Sequence, residues 1–170
     1  AVYETGLNYA RWYYKLDGDL IVVTSVVTYD KSQIVTTVKA NNPHKYLVSE
    51  FICMAPNDYE NPYYYEVEEG KIKYLPHEHS LAGNHYPTLS FTRTLDCEYK
   101  LHTDEVFYED GISRGDSLHV LEVSGKEFSM TLVGDTFAKG YEATPVDFDL
   151  SVSQYVGFIN GLLSNLHMSI

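Results

Sequence analysis

The chain has 170 residues, 24 acidic against 12 basic side chains, and a formal net charge of −12. That length corresponds to one domain, residues 1–170, able to bury a core without staples. The charge argues against nucleic acid and anionic membrane surfaces, which need Lys and Arg, and favours a small cation or a basic protein as partner.

Tyrosine is over-represented, with 16 Tyr against 7 Phe and 1 Trp. It gives rigid contact area with a polar tip, suited to half-wet pockets, but it is also an ordinary strand residue. No run of about 18 apolar residues exists to cross a membrane as a helix. The chain opens at Ala1 with neither Met nor a signal segment and has no N-x-S/T site, so a processed, secreted protein is expected.

Strand signals dominate in chain order. "KLDGDL" reads as a turn before a strand, because the spaced ligands and final Glu of a calcium loop are missing. "LIVVTSVVTY" is β-branched, with Ile21, Val23, Ser25, Val27 and Tyr29 on one face. "SQIVTTVKA" follows a short turn and completes a hairpin, and "KYLVSEFICM" is a further strand. "APNDYENP" and "LAGNHYP" are loop-rich breaks. "YYYEVEEGKIKYL" reads as strand, turn, strand.

His77, His79 and His85 in "PHEHSLAGNHY" have a ligand-like spacing, but Pro76, Gly83 and Pro87 favour a loop; neither metal nor cofactor is expected. "LSFTRTLDCEYKLHTDEVFYEDG" is a long strand or a bent pair. "DSLHVLEVSGKEFSMTLVGD" reads as a hairpin with Ser124-Gly125 at its turn. Eight or so short strands indicate a sandwich or barrel. At the end, Ser151 and Gln154 form a capping-box pattern, and Val152, Tyr155, Val156, Ile159, Leu162, Leu163 and Leu166 recur at helical spacing. This predicts one amphipathic helix lying on the β structure.

No catalytic signature appears. There is no GxSxG, no CxxC, no lysine-bearing phosphate loop at "LVGDT" and no triad spacing, so the chain is not expected to be an enzyme. The tract from Glu50 to Glu69 concentrates Tyr59, Tyr63, Tyr64 and Tyr65 among carboxylates. Cys53 and Cys97 are expected to form one disulfide, which stabilises by roughly 4 kcal/mol in the chain-entropy model.

Ala10-Arg11-Trp12-Tyr13 resembles the first G-x-W region of lipocalins, with Ala in place of Gly. "EFICMAPND" and "LDCEYKL" are similar to cysteine-bearing strands of tick salivary amine-binding lipocalins, although later cysteines and the T-D-Y region are absent. The resemblance implies that Trp12 plugs the closed end of a barrel. It also implies a small amine such as histamine as ligand.

The expectation is therefore an all-β, antiparallel up-and-down β-barrel of about eight strands with one C-terminal amphipathic α-helix packed on it. It would sequester a small cationic or aromatic amine, since a buried ammonium needs carboxylates and gains from aromatic faces. Candidate carboxylates are Glu66, Glu98 and Glu122; candidate walls are Tyr65, Tyr99, Phe107 and Trp12. Glu122 points inward if Leu118 and Val120 do, and outward if His119, Leu121 and Val123 do. Alternatives are an acidic sandwich that binds a basic protein such as a chemokine or protease, and a lipid- or fatty-acid-binding barrel.

Overall fold

The computed structural model describes residues 2–29, 31–51, 63–68, 71–76, 89–107, 113–136 and 146–168. Nine strands occur in them: β1 (Val2–Thr5), β2 (Tyr9–Leu16), β3 (Asp19–Val27), β4 (Gln33–Phe51), β5 (Tyr63–Glu68), β6 (Lys71–Pro76), β7 (Leu89–Leu95), β8 (Tyr99–Phe107) and β9 (Ser113–Thr136). One helix, α1 (Phe148–Met168), follows. All strand pairs are antiparallel, in the order β1-β2-β3-β4-β9-β7-β6-β5, with β8 also on β9. Among the described residues the sheet is not closed into a barrel. Alternating strands make either shape, and closure depends on whether the edge strands pair.

Local chemistry explains the first hairpin. Leu16 pairs with Asp19, and Asp17 and Gly18 between them take φ of 49° and 78°. Positive φ at both positions is the two-residue turn whose twist suits a hairpin, and Asp-Gly is a favoured pair for it. Further on, β4 and β9 are far longer than the short strands read from sequence, at 19 and 24 residues. The expected Ser124-Gly125 hairpin turn is instead the interior of β9.

The reason is a break in register. Lys39 pairs with Glu127 and His44 with Gly125, so five steps along β4 match two along β9. The odd excess reverses the inside–outside alternation of one strand relative to the other. Gly125 absorbs the change with φ of 153°. On β9's other edge, β7 ends at Leu95 and β8 resumes at Tyr99, beside the same segment. Both neighbours of β9 thus lose regular pairing along one line, and the sheet falls into two parts that share β4 and β9.

The larger core cluster sits on one face and spans both parts, while Val26, Val35 and Val133 are buried on the other. Ile21, Val38, Phe128 and Met130 on one side join Leu121 and Val123 on the other, with Leu95 beside the crossing. Tyr46 and Phe128 meet across the break with ring centroids 5.3 Å apart. Trp12 lies in the cross-strand row Tyr3–Trp12–Val23–Val38–Phe128 and is half-buried. It is a mid-strand residue of an open sheet, not a barrel plug.

The opposite face is only partly covered. Asp147 caps α1, its side chain accepting from the Leu150 N–H at 3.0 Å, so the cap is Asp147 and not Ser151. Ser151 is buried instead, and its carbonyl accepts a hydrogen bond from Asn8. Tyr9 packs edge-on against Phe148, and Tyr29 against Phe158. Beyond these contacts the predicted apolar stripe runs off the sheet, with Leu162, Leu163 and Leu166 exposed. No described helix is long and apolar enough to cross a membrane.

Candidate functional site

An open cleft of about 1210 Å³ lies where β7 gives way to β8. Lys71 on β6, the run from Thr94 to Leu101, and Glu122 and Ser124 on β9 form its walls. The crossing is pinned by Asp96, whose carboxylate accepts from the Ser129 N–H at 2.7 Å. The strand alternation then sorts the side chains. Leu121 and Val123 are buried in the core, so Glu122 between them points to the other face.

Glu122 is a paired acid. Its Oε1 lies 2.8 Å from Lys45 Nζ, and its Oε2 accepts from His102 Nε2 at 3.2 Å. Lys100 stands opposite it on β8. The hydrogen bonds from Lys45 and then His102 hold the carboxyl below its ordinary range. Cys97 and Tyr99 pack partly against the core, and burial pushes up both the thiol and the phenol, with the Asp96 charge adding to the thiol's shift.

A second polar cluster pins the register break. Asp19, nearly fully buried at the start of β3, accepts from the backbone N–H groups of Leu20, Asn41 and Asn42. His44 Nε2 donates to its Oδ2 at 2.8 Å. The His44 bond, with the Asn41 and Asn42 bonds behind it, holds this carboxyl far below the carboxylate range. The arrangement fixes the extra residues of β4 by satisfying their amides, which is a structural role.

A groove of about 640 Å³ runs between the opposite face and the start of α1. Arg11 dominates it. The guanidinium donates to Glu4 at 2.9 Å and to Thr24 Oγ1 at 3.0 Å, and lies 4.7 Å from the Phe148 ring centroid. It ties β1, β3 and α1 together.

Of the residues singled out from sequence, Glu98, Tyr99 and Glu122 all border the cleft at the break, Tyr99 from the core side. Trp12 is not with them. Tyr65, Glu66 and Phe107 are placed by backbone pairing opposite Tyr74, Lys73 and Ser113, and their side chains lie outside what the structure describes. Cys97 is a free thiol, so the expected disulfide is not formed there; its sulfur is turned to the core cluster. Cys53, His77, His79 and His85 lie outside the described residues, and no group of three or more metal-ligating side chains occurs among those described.

Sequence reasoning missed Lys45, Lys100 and His102. Lys100 and His102 are two apart on a strand and therefore share a face, which was a usable signal. Asp19 and His44, 25 residues apart, left none.

A family model described as the glycoside phosphorylase supersandwich domain matches residues 1–134. The chain is also similar to a 1,2-beta-oligoglucan phosphorylase of Listeria innocua serovar 6a, with 34% identity over 110 residues, 64% of this chain. The match covers 10% of that protein, so the chain spans about a tenth of the length of its curated relative. These findings overturn the lipocalin resemblance and with it amine sequestration and the alternatives weighed beside it. They also replace the expectation of no enzyme with an enzyme family. The strings around Trp12, Cys53 and Cys97 were too short to separate one antiparallel aromatic-rich sheet from another.

Proposed function

Since this chain belongs to the glycoside phosphorylase supersandwich family, whose model matches most of it, we propose that it serves as a β-rich domain of an enzyme that cleaves 1,2-β-linked oligoglucans with phosphate. In that reaction a phosphate oxygen bonds to the anomeric carbon while the glycosidic C–O bond breaks. The leaving oxygen takes a proton, and the products are a sugar 1-phosphate and a shortened glucan.

The observation that carries the proposal is the family match over residues 1–134 together with the 34% identity. The chemistry of the described residues fits an accessory role. Protonating the leaving oxygen wants a carboxylic acid with a raised pKa. The two described carboxyls with displaced pKa, Asp19 and Glu122, are both displaced downward. Both stay ionised and hold structure, so neither of these two fits the acid of the reaction.

The test is an assay of the enzyme that carries this chain. Sugar 1-phosphate should form from 1,2-β-oligoglucans only when phosphate is supplied. Absence of phosphate-dependent cleavage overturns the reading. A kcat loss of about 10³-fold on converting one described carboxylate to its amide, with the fold retained, would place the acid in this domain instead.

A further inference from the structure

We infer that the cleft at the β7–β8 crossing holds the part of a glucan chain that extends beyond the bond being broken, and so sets the enzyme's preference for chain length. The inference rests on the function proposed above. Only one linkage reacts at a time, and the remaining sugar units of an oligomer need a surface of their own. Where such remote units bind equally in the ground and transition states, they lower KM for long chains and leave kcat unchanged.

Three features of the cleft favour a neutral polyol. The first is charge. Its walls carry two ammonium groups, Lys71 and Lys100, and three carboxylates, Asp96, Glu98 and Glu122. That balance suits neither a free phosphate nor a simple cation. Sugar hydroxyls, each both donor and acceptor, can use both kinds of group.

The second feature is preorganisation. Lys45 and His102 fix one bond to each Glu122 oxygen and keep the carboxyl ionised. A carboxylate offers about four lone-pair sites, so acceptor capacity remains on an oxygen pair that is already oriented. Glu122 keeps 21% of its side chain accessible. Ser124 and the exposed Lys100 add a hydroxyl and an ammonium on the same wall.

The third is shape. At about 1210 Å³ and open to solvent, the cleft exceeds the usual small-ligand range of about 300–1,000 Å³ and suits several linked units better than one enclosed sugar.

The experiment measures kcat and KM of the whole enzyme on 1,2-β-glucans from the disaccharide upward. In the unmodified enzyme KM should fall with length. Glu122→Gln and Lys100→Ala should each raise KM for long chains about tenfold, the scale of a lost charge-assisted hydrogen bond, and leave kcat and the disaccharide KM unchanged. Lys100→Ala lies on the exposed side and carries the test if Glu122→Gln disturbs the fold. KM changes equal at all lengths, no change at any length, or no length dependence in the unmodified enzyme would each overturn the inference. Failure to cleave any 1,2-β-glucan would overturn the proposed function itself.

Discussion

Phe128 offers the sharpest test of the two-part sheet. It is 1% exposed, lies just past the register break on β9, and faces Tyr46 across it. Phe128→Ala removes a ring from a core that has side chains from both parts around it. Such truncations cost about 3–5 kcal/mol, transfer and cavity terms together. Domains of this size are stable by about 5–15 kcal/mol, so the loss is a large fraction of the total.

At about 2–4 °C per kcal/mol for a chain of this length, Tm should fall by roughly 6–20 °C. Phe128→Leu, which keeps much of the volume, should cost about 1.5 kcal/mol or less. Far-UV and tyrosine near-UV circular dichroism, followed together on heating, read out both variants. One coincident transition, moved down much further by Ala than by Leu, is the expected result. A shift under about 2 °C for Phe128→Ala, or separate transitions for the two probes, would refute the idea that one core ties both parts together.

Gly125→Ala should destabilise by about 1–3 kcal/mol purely through backbone strain, because φ is 153° there and an added Cβ meets nothing within 4 Å; denaturant midpoints measure it. Asp19 has its pKa depressed in the fold, so its contribution to stability is complete above about pH 4 and is lost as pH falls below that. Asp19→Asn should therefore flatten the acid limb of the stability–pH curve, and an unchanged limb would remove Asp19 as its source. Cys97, with its thiol pushed up by burial, should react with a disulfide reagent at pH 8 far more slowly in the folded chain than in denaturant. Equal rates would mean the sulfur is not held against the core.

Much of the strand content was legible because it rests on local chemistry. Asp17-Gly18 marks a turn by residue type, and the β-branched run after it can hardly be anything else. Gly125 shows the limit. Ser-Gly between two alternating runs looks like a hairpin turn. The same slip in alternation also fits a break within one strand, and only the partner strand decides. Pairing between β4 and β9 is a long-range fact that neither segment carries alone. The same holds for Glu122. Its register was undetermined from sequence, and the burial of Leu121 and Val123 settles it.

The helix was read from its periodicity, but how far the sheet covers it was not, since coverage depends on the sheet's reach. Closure into a barrel is not seen among the described strands, and alternation is blind to whether the first and last strands meet. Glu98, Tyr99 and Glu122, chosen from sequence for a cation, border the cleft at the break. Residue type located the surface, while the pairing of Glu122 with Lys45 and His102 changed its chemistry.

The central position of β9 also governs the order in which the chain can fold. β1 to β4 are joined by short connections and can zip up locally. Their free edge on β4 then waits for a strand far along the sequence: Thr37 and Ser129, hydrogen-bonded across that pair, are 92 residues apart. The ninth strand must slot between β4 and β7, both already present. Until it does, two rows of unpaired backbone groups lie open to any other extended chain nearby. Pairings of such separation are slow to form. Nascent chains that stall before β9 emerges therefore carry an aggregation hazard at the β4 and β7 edges, where chaperone cover is of use.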